Sequence, residues 1–256
     1  MSAKSYAVLG SPITHSLSPV IHRVILNHLG LQDSYVSIET NDLESFLSSS
    51  PTFNGLSLTM PLKEQALSCS DCVEPVAQLV GSVNTLHNDN GRWLGYNTDI
   101  YGLRKAVAGL HFRTVSVLGT GATARSALQA FPGSDLRLWG RDQAKVDVLA
   151  RKFECESSDL NAALASDLVI STLPAGALME LITEENSYPG VLLDVAYANK
   201  KTGAELGFAN SISGLEMLLW QAIAQQRIFN GPGIQTELVD EAKLADDIRA
   251  ALDMAK

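Results

Sequence analysis

From Thr114 the chain reads Thr-Val-Ser-Val-Leu118, then Gly119-Thr-Gly121-Ala122-Thr-Ala124-Arg125, then helix formers that include Ala127, Leu128 and Ala130. A short apolar run, two glycines one residue apart and a helical run leave little choice of local fold: strand, tight turn, helix. That unit recurs where proteins hold dinucleotides. Gly119 lets the chain turn sharply, Gly121 lets backbone N–H groups approach a pyrophosphate, and Ala124 keeps the helix close to its strand. The helix N-terminus, at Ala122, offers partial positive charge to the phosphates, and Arg125 in its first turn adds a cation. Two glycines alone also suit any tight turn, so the flanking strand and helix carry the reading.

Alternation of β-like and helical runs extends to both sides. Before the turn come Tyr6–Leu9, Val20–Leu29, Tyr35–Ile38, Leu43–Leu47 and Leu56–Leu58, then a helical stretch from Lys63 to Val80 interrupted near Pro75. Val83–Leu86 and Trp93–Leu94 flank Asn90-Gly91 as a hairpin. After the turn come Leu136–Leu138, a helix over Ala144–Phe153, Leu168–Ile170 and Val191–Val195, and then two helical stretches, Leu215–Ile228 and Thr236–Met254. The expected class is α/β, with two α/β domains. Residues 1–100 form a substrate-binding domain on a mostly parallel sheet, completed by C-terminal helices in 214–256. Residues 101–213 form a Rossmann-type dinucleotide-binding domain, and the cleft lies between the two.

Bulk properties narrow the partners. A net charge of −9 with no lysine or arginine cluster argues against nucleic acid and anionic membrane surfaces. No apolar run reaches the ~18 residues of a membrane span, and Met1-Ser-Ala-Lys-Ser-Tyr6 lacks the apolar stretch of a signal peptide, so a cytoplasmic protein is expected. Cys69, Cys72 and Cys155 are an odd number without an export signal, which argues for reduced thiols. Cys69-Ser-Asp-Cys72 has metal-site or redox spacing but no second pair to complete four ligands, and packing is its simpler role. The five histidines show no paired ligand spacing and read as structural or solvent-facing; no metal site is expected. Ser16 and Ser18 lack the glycine-flanked elbow of a serine hydrolase.

Polar patches fall where strand ends are expected: Ser16-Leu-Ser18-Pro19, Thr59-Met-Pro61-Leu-Lys63 and Gly81-Ser-Val-Asn84-Thr85. Ligands of open α/β sheets bind beyond the carboxyl ends of strands, and hydroxyls, an amide and an ammonium there suit a small polyhydroxylated acid. Local capping by Ser16 or Ser18, and a turn held by Asn84, explain the same residues less specifically.

Read in order, these patches resemble the shikimate dehydrogenase family: a serine-x-serine-proline loop, a threonine-x-proline-x-lysine segment, a valine-asparagine-threonine strand and Asn97-Thr98-Asp99. The likeness continues through the glycine turn to Gly214-Leu-Glu-Met217-Leu-Leu-Trp-Gln221 and covers nearly the whole chain. It implies that Ser16, Ser18, Thr59, Asn84, Tyr197 and Gln221 bind shikimate and that Lys63 and Asp99 are the catalytic pair. It adds Gly214 to the cofactor residues Gly119, Gly121, Ala122, Ala124, Arg125 and Arg141. Oxidising a secondary alcohol by hydride transfer requires the hydroxyl proton to leave, and reduction must return it. A lysine ammonium in water holds its proton too firmly for a base at neutral pH. Burial loosens that hold and a carboxylate tightens it, so the acid–base work is assigned to the pair.

Cofactor choice depends on the end of the second strand, Leu138-Trp-Gly140-Arg141-Asp142, about twenty residues past the glycine turn. Arg141 favours the 2′-phosphate of NADP, while Asp142 puts negative charge where the family usually has a hydroxyl; NADP is expected, with NAD possible. Ser57, Ser213 and Glu216 replace an asparagine, an aspartate and a glycine of the family pattern. The implied activity is reversible NADPH-dependent reduction of 3-dehydroshikimate to shikimate, with small molecules as partners and the chain a monomer or homodimer. The alternatives are an NAD-dependent quinate/shikimate dehydrogenase and a non-catalytic dinucleotide or metabolite sensor; a methyltransferase fits the glycine turn by fold analogy alone.

Overall fold

The computed structural model describes residues 3–49, 52–182, 187–197, 205–231 and 233–254. They divide into two compact units, Met1–Thr98 with Leu218–Lys256, and Asp99–Met217. These boundaries fall two residues before, and four residues after, the 100/101 and 213/214 junctions suggested by the sequence.

Unit 1 opens with β1 (Ser5–Gly10), α1 (Ser18–His28), β2 (Ser34–Glu39), α2 (Leu43–Ser48) and β3 (Gly55–Leu58). There follow α3 (Leu62–Cys69), β4 (Cys72–Val73), α4 (Pro75–Val80), β5 (Thr85–Asp89) and β6 (Arg92–Tyr96). The sheet order is β2-β1-β3-β5-β6-β4. β1 pairs in parallel with β2 and β3, and β4 with β6, while β5 runs antiparallel to both neighbours. The stretch from Lys63 to Val80 is therefore two helices separated by a strand, because Cys72 and Val73 pair with Leu94 and Gly95. The β5–β6 hairpin turns at Asn90 and Gly91, both with positive φ (53° and 89°), the geometry whose twist matches paired strands.

β1 is apolar on both faces because both are covered. Tyr6 and Val8 pack with Ile13, Leu26, Tyr35, Ile228 and Phe229, whereas Ala7 and Leu9 join Leu43, Leu56, Leu58 and Leu62 on the other side. Burying each such leucine contributes about 1.5–3 kcal/mol.

Unit 2 contains α5 (Asp99–Ala106), β7 (Thr114–Leu118), α6 (Ala122–Ala130), β8 (Asp135–Trp139), α7 (Gln143–Phe153) and β9 (Glu156–Ser157). It continues with α8 (Leu160–Leu164), β10 (Leu168–Ser171), α9 (Ala177–Leu181), β11 (Tyr188–Asp194) and β12 (Phe208–Ser213). All neighbouring strands are parallel and the order is β12-β11-β10-β7-β8-β9. Counted from β7 this is the doubly wound 3-2-1-4-5-6 arrangement, whose strand order reverses between β7 and β10.

Helix α10 (Gly214–Asn230) begins in unit 2 and ends in unit 1, and α11 (Glu241–Met254) belongs to unit 1, where it packs on α1. From Gln221 to Phe229 every residue of α10 is buried, including Gln221, Gln225, Gln226 and Arg227. Arg227 is neutralised by Glu241, which it meets through Nε at 2.7 Å, and it also donates to the Ile234 carbonyl. No helix among the described residues is long and apolar enough to cross a membrane.

Candidate active site

One edge of the unit 1 sheet collects the polar patches, because its strands end there in register. The Thr59 N–H donates to the Leu9 carbonyl, the Leu58 N–H to the Asn84 carbonyl and the Asn84 N–H to the Tyr96 carbonyl. The residues after β1, after β3, before β5 and after β6 are thereby drawn into one row. Ser16 and Ser18 lie after β1. The Ser16 hydroxyl accepts from the Ser18 N–H at 3.3 Å, and α1 has Leu17 at its N-cap with no side-chain cap, so neither serine is a conventional helix cap.

Thr59 follows β3, and Lys63 stands half-buried in the first turn of α3, its carbonyl accepting from the Val83 N–H. A Cβ on Gly10 would come within 2.3 Å of Thr59 Cγ2, so only glycine at the end of β1 lets the Thr59 segment lie against it.

Asn84 is 2% exposed and its side chain is held on every side. Its Oδ1 accepts from the Thr98 N–H (2.8 Å) and the Thr85 hydroxyl (2.9 Å), while Nδ2 donates to Thr98 Oγ1 (2.9 Å) and Gln221 Oε1 (3.3 Å). Asn97, the residue before Thr98, is fixed by Glu74 Oε1, which accepts its N–H at 2.6 Å, and by the Ser82 carbonyl, which accepts from its side chain. Burial pushes the Glu74 carboxyl above its ordinary range, and the Asn97 hydrogen bond opposes that shift. Asp99, the next residue after Thr98, opens α5 and is buried.

Asn84 and Gln221 are therefore brought into contact, while Ser18 is joined to them indirectly. The Tyr35 hydroxyl bonds to Ser18 and donates to Ser57 Oγ (2.7 Å), which donates to Gln225 Oε1 (2.8 Å), and Gln225 donates to the Asn84 carbonyl (3.2 Å). Burial raises the Tyr35 phenol far above its ordinary value, so it stays protonated and donates. Sequence reasoning missed Gln225 and Tyr35, named Thr85 only as part of its polar patch, and treated Ser57 only as a departure. The available signal was the four-residue spacing of Gln221 and Gln225, which puts both on one helical face.

In unit 2 the cofactor residues gather at the carboxyl edge of the parallel sheet. Gly119 follows β7 at φ 117°, beyond what a side chain tolerates, and a Cβ there would meet Thr172 Oγ1 at 2.4 Å. Gly121 precedes α6 with open space where a Cβ would be, leaving its turn accessible to phosphate oxygens. Ala122 is the first residue of α6, Ala124 is fully buried, and Arg125 lies in the first turn with its N–H donating to the Gly121 carbonyl. Arg141 is exposed after β8. Asp142 is the N-cap of α7, accepting from the Lys145 N–H at 3.2 Å and pairing with its ammonium at 3.3 Å. Those hydrogen bonds hold its carboxyl below the ordinary range.

The charge that complicated the cofactor reading is thus committed to its own helix. Gly214 opens α10 after β12, where a Cβ would lie 2.5 Å from the Asp194 carbonyl, and Tyr197 is exposed three residues beyond β11. The strand order, the open Gly121 turn, the helix N-terminus and the exposed Arg141 guanidinium fit an NADP-type dinucleotide.

A family model described as "Shikimate dehydrogenase substrate binding domain" matches residues 8–86. The shikimate dehydrogenase (NADP(+)) of Aquifex aeolicus is 32% identical over 88% of this chain and 91% of its own length. That of Thermus thermophilus is 34% identical over 88% and 92%. Among solved structures, a shikimate 5-dehydrogenase from Thermus thermophilus in complex with NADP(H) and shikimate has a TM-score of 0.81 at 31% identity, covering 97% of this chain and 99% of that one. The Mycobacterium tuberculosis shikimate dehydrogenase has a TM-score of 0.82 at 32% identity, with 98% of this chain covered.

Proposed function

The chain belongs to the shikimate dehydrogenase family, and on that premise we propose that it interconverts 3-dehydroshikimate and shikimate with NADP(H), using the residues described above. When bound, the dinucleotide supplies or takes up the hydride. Gly119, Gly121, Ala122 and Ala124 shape the turn that receives its pyrophosphate, Gly214 permits the close backbone approach beside it, and Arg125 and Arg141 supply cations, Arg141 toward the 2′-phosphate. Ser16, Ser18, Thr59, Asn84, Tyr197 and Gln221 bind the hydroxyls and carboxylate of the substrate. Lys63 and Asp99 share the proton: in reduction the pair delivers it to the oxygen that becomes the alcohol, and in oxidation the pair takes it away.

The observation that carries this reading is the Asn84–Thr98–Gln221 cluster. It is buried, polar and hydrogen-bonded, and it lies at the sheet edge where strand ends converge. A fold that needed only stability would fill such a place with apolar side chains.

We place the activity in the cytoplasm, on the biosynthetic route to aromatic amino acids, with the protein a monomer or homodimer. Its three cysteines as free thiols are in keeping with a reducing compartment. The bonds of Asp142 to the Lys145 N–H and ammonium offset part of its charge and weaken the argument for NAD. Steady-state rates with shikimate or quinate, each with NADP or NAD, test the reading. The shikimate–NADP combination is expected to dominate, and a preference for quinate with NAD would overturn it.

A further inference from the structure

Unit 1 contains a run of hydrogen bonds, part-buried at Lys4 and buried from Gln226 inward, whose direction is set at both ends. The Lys4 ammonium can only donate, and at 3.2 Å it turns Asn230 Oδ1 toward itself; the Tyr6 hydroxyl donates to the same oxygen at 3.0 Å. Asn230 Nδ2 then donates to Gln226 Oε1 (2.7 Å), and Gln226 Nε2 donates to His22 Nδ1 (2.8 Å). A neutral His22 whose Nδ1 accepts must carry its proton on Nε2, which donates to Gln225 Oε1 at 3.1 Å. Gln225 Nε2 donates to the Asn84 carbonyl (3.2 Å) and to Thr85 Oγ1 (3.0 Å). With its oxygen receiving that bond, the Thr85 hydroxyl sends its own proton to Asn84 Oδ1 at 2.9 Å. At the far end, the backbone carbonyl of Asn84 can only accept, so it demands the same orientation of Gln225 that Lys4 imposes through Asn230, Gln226 and His22.

We propose that Gln226, His22 and Gln225 are positioning residues for substrate binding: a one-way hydrogen-bond relay from Lys4 through Gln225 and Thr85 backs the Thr98 N–H in holding the end of the Asn84 amide that faces shikimate. The Thr98 N–H and the Thr85 hydroxyl, the latter set by the relay, occupy Asn84 Oδ1, and Nδ2 is left on the side shared with Thr98 Oγ1 and Gln221. A flipped Asn84 amide would set its Nδ2 against the Thr98 N–H, and a flipped Gln225 would set its oxygen against the Asn84 carbonyl, clashes that buried groups do not tolerate. Stacking of the His22 ring on Tyr35, with centroids 3.9 Å apart and planes 6° from parallel, holds the imidazole in the plane the relay needs. This proposal rests on the reading that Asn84 binds substrate.

The ring nitrogens of His22 in ¹⁵N-labelled protein at pH 7 give the direct test. The neutral Nε2–H tautomer is expected; an Nδ1–H or doubly protonated ring overturns the relay, and this measurement needs no variant. Gln226→Leu, remote from Asn84, removes the donor to His22 Nδ1. It is expected to bring up a second His22 tautomer and raise the shikimate KM about threefold to tenfold, the value of one hydrogen bond. kcat and the KM for NADP are expected to stay within about twofold, a split that general loss of structure would not produce. A mixed tautomer with an unchanged shikimate KM overturns the proposal. Asn84→Ala separates the two readings: if it leaves the shikimate KM unchanged, the assignment of Asn84 fails and the relay's role with it. If it raises KM while Gln226→Leu does not, the relay alone fails.

Discussion

Lowering the pH from 7 to 5 is expected to remove about 2 kcal/mol of stability through His22 alone. The ring is fully buried, and loss of hydration lowers its pKa from 6.5 to about 3 despite the hydrogen bond to Gln225. Because the folded value is depressed, the unfolded chain takes up the proton first. The contribution is whole above pH 6.5 and is lost as the pH falls from there toward 3. At pH 5 the folded ring is still neutral, so the loss is set by the unfolded value: about 1.4 kcal/mol for each of roughly 1.5 pH units. His87 is lowered by burial in the same direction, so a single wild-type curve would mix the two. Glu74, whose carboxyl is raised, acts with the opposite sign. Asp42, Asp142 and Asp167, held low by backbone N–H groups, lose their contributions only below about pH 4. Urea unfolding of the wild type and of His22→Gln at pH 7 and pH 5 isolates the ring. The variant's stability is expected to fall about 2 kcal/mol less across that interval, and identical pH slopes in the two proteins would refute the argument.

Lys63→Met is expected to lower turnover by about 10²–10⁴ with the shikimate KM little changed, as loss of an acid–base group does, and unchanged turnover would remove Lys63 from the mechanism. Arg141→Ala is expected to raise the KM for NADP about tenfold or more while leaving that for NAD alone; equal changes for both cofactors would move the 2′-phosphate elsewhere. Glu241→Ala strands the Arg227 guanidinium, 3% exposed, and is expected to cost about 3–5 kcal/mol in denaturant unfolding. A loss below about 1 kcal/mol would show that the Ile234 carbonyl and Glu237 suffice to hold Arg227.

The parts legible in the sequence are those written in local chemistry. Of the two glycines after β7, Gly119 announces the turn because its positive φ against Thr172 suits no other residue, while Gly121 leaves open space beside the helix N-terminus. Asn90-Gly91 likewise declares its hairpin. Cys72–Val73 could not be read as a strand, since two residues have no periodicity and pair only because Leu94 and Gly95 present an edge. Helix α10 was legible as a helix but not as a buried one. Gln225, Gln226 and Arg227 look like a solvated face until His22, Ser57 and Glu241, which are distant in sequence, supply their partners. Asp142 was read by its charge alone, whereas its role is set by the helix that starts beside it.

Unit 1 is assembled from both ends of the polypeptide. Phe229 stacks on Tyr6 with ring centroids 4.9 Å apart and fills the space where Gly55 lacks a side chain, so β1 and β3 wait for a helix made more than a hundred residues later. During synthesis the middle segment, contiguous and with a sheet of its own, can mature on the ribosome while the first strands still lack the helix that covers them. The aromatic face of β1 is therefore the surface through which a stalled or truncated nascent chain would aggregate.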